Sequence, residues 1–428
     1  MNSIEVPSID WSKFVRSGDR IVCSHMASEP VALLHSLAAS GAHDGRMNIF
    51  LGVPFSSAAG FPPNTTFTTF GGMGTAGVLA RTHTTHMSTV HYSRCANGFA
   101  TGEEGVDVVL VSLARAPDGK LHLGASHGYA LEAARRARCV LAEINAQAPV
   151  VLGAPWPADL RIASSIEVAY PIANTIDAGA SEVERRIAAH VAPLVANGAC
   201  IQVGIGSLPS AVLAGLRDHR ALGVHSGMLT PALWQLVESG AIDNSRKAID
   251  PGISIAGSVY GDAPLYSAVH LNPAVELRAP AYTHAASTVT RLVRFTALNS
   301  ALEVDLLGQV NAETVTARDG SARHVGGVGG LNDFVRAAQY AAHGISVIAL
   351  PSRQVRHDST AGRARIVPVL SGPATVAASD ADIVVTEHGV AHLRHATLDE
   401  RARRLIAIAH PDDRPGLLGA ARRSNQIR

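Results

Sequence analysis

Ala199-Cys200-Ile201-Gln202-Val203-Gly204-Ile205-Gly206-Ser207-Leu208-Pro209 is the stretch on which the fold of this 428-residue chain turns. Ala199–Val203 reads as a short buried strand, and Gly204–Gly206 as a turn. Pro209 suits the first turn of a helix, where a missing N–H costs little. Strand, glycine turn and helix in that order form the repeating unit of parallel sheets. The N-terminus of such a helix can also receive an anion.

The same rhythm extends in both directions. Upstream, strands are expected at Arg20–Cys23, Met47–Val53, Val106–Leu113 and Val140–Ile144, with helices at Glu29–Ala39, Tyr129–Ala137 and Val183–Asn197. Downstream, strands fit Gly252–Ala256, Glu303–Leu306, Ile345–Leu350 and Ile383–Thr386, and helices fit Pro231–Gly240, Asn332–His343 and Leu398–His410. Alternation of this kind predicts an α/β fold, two open α/β/α domains of similar build with mostly parallel sheets. The region about 152–180 reads as irregular. The domains are therefore set at residues 1–185 and 186–428, in keeping with a chain too long for one ordinary core.

Composition narrows the function. Apolar residues make up 47% and charged residues 17%, which suits a compact globular enzyme rather than a disordered chain. Thirty-six Lys and Arg nearly cancel 35 Asp and Glu, so no basic footprint for nucleic acid or an anionic membrane exists. Aromatics at 4% are too sparse for a base-stacking platform. Cys23, Cys95, Cys139 and Cys200 lack CxxC spacing and read as reduced thiols. Met1–Glu5 has neither the basic nor the apolar part of a signal peptide, and no run approaches the ~18 apolar residues of a membrane span. A cytoplasmic enzyme is expected.

Candidate chemistry lies in several places. Gly204-x-Gly206-x-x-Pro209 departs from the dinucleotide fingerprint, because Pro209 replaces the third glycine and Val224–Gly227 carries no carboxylate. A structural turn and a ligand-lining turn both remain open there. His83, His86 and His91 crowd together, but their spacing matches no zinc motif, and hydrogen bonding is the default reading; no metal is expected. His25 follows the first strand, where open α/β sheets line their ligand crevice. A histidine satisfied within a loop fits equally well. The basic run Arg353–His357 with Arg363 and Arg365 reads more readily as a solvated loop than as a phosphate site. No Gly-x-Ser-x-Gly elbow is present.

In Asn299-Ser300-Ala301-Leu302-Glu303-Val304-Asp305-Leu306 a carboxylate occupies the polar register of an apolar strand. Alternation places Leu302, Val304 and Leu306 on one face and Glu303 and Asp305 on the other. Gly326-Gly327-Val328-Gly329-Gly330 follows, a loop able to bring bare N–H groups to a ligand. A carboxylate facing that loop could attack an acyl group. A wet-faced strand followed by a flexible turn explains the same residues, and the pattern alone does not choose between them.

These residues, taken together, resemble the acetyl-CoA hydrolase/transferase family, which includes the 4-hydroxybutyrate and succinyl-CoA:acetate CoA-transferases. The resemblance runs through Ser24-His25-x-x-Ser28-Glu29-Pro30, Ala142–Asn145 with Pro149, Gly204–Pro209, Asn299–Leu306 with Gly308-Gln309-Val310, and Gly326–Phe334. It continues through Arg365–Pro368, Val384–Ala391 and Ala407–Pro411. It implies a CoA-transferase whose active site lies between two related domains. Glu303 would be the covalent nucleophile, with His25 beside it as a catalytic candidate. Gly326, Gly327, Gly329, Gly330, Thr283, His284 and Gly389 would serve the oxyanion and CoA. Coenzyme A would be a substrate rather than a bound cofactor, and a homodimer or higher homo-oligomer is expected. An acyl-CoA hydrolase on the same scaffold is the alternative, and a non-catalytic acyl-CoA sensor a third reading that Glu303 and the glycine loop oppose. Leu331 stands where many relatives have Gln, His284 where Asn is expected, and Ser210 and Gly227 where acidic residues are common. These departures leave the acid open: acetate or 4-hydroxybutyrate, or a dicarboxylate or branched acid such as succinate or itaconate.

Overall fold

The computed structural model describes residues 9–56, 60–175, 179–316, 320–356 and 359–424. The N-terminal segment Met1–Glu5 and His357 lie outside the described residues. In chain order the first eight strands are β1 (Arg20–Cys23), β2 (Asn48–Gly52), β3 (Thr66–Phe70), β4 (Thr85–Ser88), β5 (Val108–Arg115), β6 (Leu121–His122), β7 (Cys139–Asn145) and β8 (Ser164–Val168). Next come β9 (Cys200–Val203), β10 (Gly223–Leu229), β11 (Ser254–Val259), β12 (Val275–Leu277) and β13 (Phe295–Ser300). Short strands follow at β14 (Glu303–Asp305), β15 (Val310–Asn311), β16 (Thr314–Thr316) and β17 (Ala322–His324). The last six are β18 (Ile345–Ala349), β19 (Arg353–Arg356), β20 (Ser359–Ala364), β21 (Ile366–Val367), β22 (Ile383–Thr386) and β23 (Gly389–His392).

Two large sheets share one winding. In the first the order is β4-β3-β2-β1-β5-β7-β8, and in the second β12-β11-β10-β9-β13-β18-β22-β23. Each starts at its centre, steps outward through three strands on one side, then crosses to the other. Pairing along both paths is parallel except at the terminal β22–β23 hairpin. Strands covered on both faces must be apolar throughout. β5 is buried over Val108–Ala114 and β11 over all of Ser254–Val259, with Ser112, Ser254 and Ser258 as the polar exceptions within them. The chain therefore consists of two α/β domains with largely parallel sheets, as expected. Among the described residues no helix is long and apolar enough to cross a membrane.

Some expectations need correction. The region about 152–180 contains β8, which pairs with β7 over Leu141–Asn145. Its Ser-Ser-Ile-Glu-Val sequence is too polar to announce an edge strand. The strand expected at Gly252–Ala256 begins and ends later, at Ser254–Val259. Most importantly, Asn299–Leu306 is not one strand. β13 ends at Ser300 in the large sheet, and the chain then bends at Ala301-Leu302. β14 starts at Glu303 in a separate small sheet ordered β15-β14-β21.

That break places the carboxylate. In open α/β sheets ligands collect beyond the strand C-termini, where the winding reverses. In the first sheet this point lies between β1 and β5, and Ser24-His25 follows β1. In the second it lies between β9 and β13, and Gly204–Gly206 and Ala301–Glu303 follow these strands. The helix Glu182–Val191 opens with a capping box, Ser181 Oγ accepting from Glu184 N–H while the Glu184 carboxylate accepts from Ser181 N–H. It packs on the helix Ser207–Ala214 and on β22.

The two domains are stitched by backbone. His127 N–H donates to Gly257 O (3.0 Å) and Val259 N–H to Ala125 O (2.7 Å). Beside them Ser126 Oγ meets Ser258 Oγ at 2.7 Å.

Candidate active site

Glu303 is 6% exposed, yet it lines a small cleft. Leu302, Thr314, Val315, Gln354, Arg363, Ala364 and Arg365 complete the lining. Val304 and Leu306 point the other way into the apolar core with Val335, Ile348 and Leu405, as alternation requires. Leu302 breaks the pattern because it precedes β14, at the bend, and turns toward the cleft.

The carboxylate is held from two sides. Ser371 N–H donates to Oε2 (3.1 Å), Ser371 Oγ lies 2.8 and 2.7 Å from the two oxygens, and Arg363 Nη2 donates to Oε1 at 3.1 Å. Arg365 is buried enough that desolvation draws its pKa below the usual arginine range, with Glu303 and Glu387 opposing that shift. Asp305 has another task. It accepts N–H bonds from Leu307 (3.0 Å) and Gln309 (2.9 Å) and one from Gln309 Nε2 (2.7 Å), closing the turn that leads to β15.

The glycine loop is reached through β15 and β16. Glu303 pairs with Asn311 across β14–β15, and two residues on, Glu313 O accepts from Val325 and Gly326 N–H at 2.8 and 3.0 Å. The first domain grips the loop from outside. Gly72 N–H donates to Gly326 O, and Tyr92 N–H to Gly329 O, both at 2.9 Å. Ser93 donates through N–H (3.3 Å) and Oγ (2.7 Å) to the Asp333 carboxylate in the helix Leu331–Tyr340. A Cβ on Gly71 would lie 1.8 Å from Gly326 O, and one on Gly72 would lie 2.0 Å from His324 O. The two glycine segments interlock because neither carries side chains. With the Gly326 and Gly329 carbonyls bonded to the first domain, the loop leaves four N–H groups, those of Gly327, Val328, Gly329 and Gly330, without acceptors among the described residues. Gly330 also caps the N-terminus of the following helix, where partial positive charge gathers.

An aromatic file joins the domains beside this loop. His25 is buried, with Nε2 2.9 Å from Tyr92 Oη and its ring 4.9 Å from that of Tyr129. Tyr92 in turn lies 5.0 Å from the His284 ring, which packs on Phe334 at 4.6 Å. Burial lowers both histidines to about 3, so both rings are neutral. Thr283 Oγ1 meets His284 Nδ1 at 2.8 Å, and His284 Nε2 sits against Gly330 and Gly227. Gly227 leaves room for that ring, which an acidic side chain would fill. Gly389 lies elsewhere, in the tight β22–β23 turn with φ 139°, next to Glu387, whose carboxylate accepts from Ser352. The structure thus groups His25, Thr283 and His284 with Gly326–Gly330 and puts Gly389 in the neighbouring hairpin.

Of the basic run, Arg353 is committed to Asp412 and Asp413, while Arg363 and Arg365 turn to the cleft. Among the described residues no three His, Cys, Asp or Glu side chains converge as metal ligands, and His83 Nε2 is spent on Phe61 O at 3.2 Å. Sequence reading missed Arg363's contact, Ser371, Thr375 and the Gly71-Gly72 pair. Ser371-Gly372-Pro373 could be read as a turn, but nothing local ties it to a residue 68 positions earlier. Thr375 completes the frame: its O accepts from Asn332 Nδ2, and its Oγ1 donates to Glu313.

Comparison with known proteins identifies the family. Residues 261–421 match the acetyl-CoA hydrolase/transferase C-terminal domain, which spans Glu303 and the glycine loop. The chain is 36% identical over 320 residues to the 4-hydroxybutyrate coenzyme A transferase of Clostridium kluyveri, covering 73% of this chain and 72% of that protein. The crystal structure of RipA from Yersinia pestis superposes with a TM-score of 0.87 at 27% identity over 96% of each chain. That of 4-hydroxybutyrate CoA-transferase from Porphyromonas gingivalis does so with 0.80 at 30% identity, over 98% and 97%. The chain belongs to the acetyl-CoA hydrolase/transferase family and is a CoA-transferase, moving CoA between an acyl-CoA and a carboxylate.

Proposed function

We propose that Glu303 is the nucleophile of a ping-pong exchange between a short-chain acyl-CoA and a small carboxylic acid. The observation that carries this reading is a buried carboxylate, just past the reversal point of the second sheet, that still lines an open cleft. Glu303 attacks the thioester carbonyl, giving an acyl-glutamyl anhydride and CoA thiolate. The thiolate returns to the glutamyl carbonyl, the first acid leaves, and CoA remains as an enzyme thioester. A second carboxylate reverses these steps. Thioester free energy is conserved, so no ATP is consumed.

A carboxylate is a weak nucleophile, so the transition state must be held from elsewhere. In this proposal the N–H groups of Gly327–Gly330 receive each oxyanion, where one donor is worth roughly 10²–10³ in rate. The CoA handle supplies the remote binding that orients the thioester. Thr283 and His284 support the loop from below, Gly389 serves the CoA side, and His25 acts by positioning Tyr92. The relatives' acids, among them 4-hydroxybutyrate, acetate and succinate, define the panel to test. Domains of 1–185 and 186–428, a homodimer or higher homo-oligomer and a cytoplasmic site complete the proposal.

The test mixes the protein with acetyl-, butyryl- and succinyl-CoA and a panel of carboxylates, following acyl exchange and free thiol separately. Exchange without net thiol is expected; thiol release without exchange would mean a hydrolase. Glu303→Gln should lose the covalent CoA adduct seen by intact-protein mass spectrometry. An adduct forming at the normal rate in that variant would refute the assignment.

A further inference from the structure

The cleft around Glu303 is unbalanced in charge. Of its lining residues only Glu303 is acidic, while Arg363 and Arg365 are both basic. Arg363 stands on β20, its side chain 46% exposed, with Nη2 on Glu303 Oε1 at 3.1 Å and on Ser371 Oγ at 3.2 Å. Its Nη1 donates to Thr316 O. Glu303 is the only carboxylate it meets among the described residues.

The exchange reaction moves that negative charge. Glu303 carboxylate and acyl-CoA become Glu303–CoA thioester and free acid. The acyl–sulfur bond breaks, a carbon–sulfur bond forms at Glu303, and one glutamate oxygen departs with the acid. No proton or electron is gained or lost. The unit negative charge passes from Glu303 to the acid, while the guanidinium beside it keeps its place and its donors. A guanidinium released by one carboxylate is open to another, and a carboxylate is the group its forked donors fit best.

We propose that Arg363 exchanges partners during turnover: it pairs with Glu303 in the resting enzyme and with the carboxylate of the leaving or incoming acid while Glu303 carries CoA. This makes Arg363 the acid-binding residue of the cleft. Arg365, two residues on and lining the same cleft, keeps the region cationic throughout. The inference rests on Glu303 being the nucleophile.

The two ideas are separated by measuring two half-reactions in the full-length enzyme, using the acyl-CoA and sodium carboxylate that exchange fastest in the panel above. Thioester formation is read by intact mass after mixing with acyl-CoA alone, and acid binding by the KM for the carboxylate. In Arg363→Ala the acid KM should rise about tenfold or more, the loss of a charge-assisted contact. Thioester formation should change much less, because Glu303 loses its partner in the ground state as the departing acid loses its own. Millimolar guanidinium should lower the raised KM. Arg363→Lys, which keeps the charge but not the fork, should fall between, and it decides the matter if the alanine variant lacks the native melting transition. An unchanged acid KM with slowed thioester formation would overturn the proposal and leave Arg363 as an anchor for Glu303 alone. A wild-type enzyme that forms no thioester on Glu303 would instead overturn the nucleophile, and this inference with it.

Discussion

Gly72→Ala places the interlocked glycine segments under test from the domain that lacks Glu303. A Cβ at Gly72 would stand 2.0 Å from His324 O and 3.0 Å from Val325 Cα, whereas real Cβ atoms essentially never approach within 3.0 Å. The obstacle is backbone, so no rotamer change relieves it. The segment His324–Gly326 must back away by about 1 Å, the difference between 2.0 and 3.0 Å, and the bond from Gly72 N–H to Gly326 O lengthens with it. The displaced segment leads directly into Gly327–Gly330. A misplacement of about 1 Å at a catalytic group can cost on the order of 10²-fold. Gly72 has no positive φ, so the substitution adds little local backbone strain. Acyl exchange should therefore fall about a hundredfold while the melting temperature drops only modestly. The decisive measurement is the rate of CoA adduct formation on Glu303, which should fall in proportion. Exchange within threefold of wild type would refute the idea that the first domain sets the loop.

Ser371→Ala removes the hydroxyl that meets both Glu303 oxygens and keeps the backbone N–H. Hydrogen bonds to charged groups are worth about 1.5–3 kcal/mol, so kcat should fall roughly tenfold or more with little change in the KM for acyl-CoA. Steady-state kinetics that show a pure KM effect would argue against the positioning role. Glu143 offers a test by pH. Burial pushes its carboxyl up to about 7, against donations from Tyr170 Oη and the N–H groups of Ala32 and Leu33. A folded value raised above the ordinary 4.5 means the folded protein holds this proton longer. Its contribution to stability is full below pH 4.5 and is lost as pH rises to about 7. His25 and His284, lowered to about 3, run the other way, contributing above 6.5 and losing that as pH falls. The difference in denaturation midpoint between wild type and Glu143→Gln should therefore shift in favour of the variant between pH 5 and 8. A difference flat with pH would show that Glu143 titrates normally.

Particular residues show how far the sequence could be read. Gly204-Ile205-Gly206 between a strand and a helix announced parallel α/β layers, because only that arrangement suits an apolar strand followed at once by a glycine turn and Pro209. Alternation at Glu303–Leu306 correctly sent Val304 and Leu306 inward, since a core face tolerates no other register. The bend at Ala301-Leu302 was not legible. Nothing local distinguishes six residues that continue a strand from six that leave one sheet and join another. β8 was missed for a related reason, its polar edge being satisfied by a neighbour, β7, that lies about twenty residues earlier.

By itself, the sequence determined the layer architecture, the carboxylate in its apolar register and the bare backbone at Gly326–Gly330, since propensity, alternation and the absence of side chains are local properties. Only the tertiary structure decided that Glu303 is held by Ser371 and Arg363, and that Gly72 and Tyr92 hold the Gly326 and Gly329 carbonyls toward the first domain. Those contacts join residues 60 or more positions apart. Such pairings are chosen by the packing of the two sheets, and no local pattern records them.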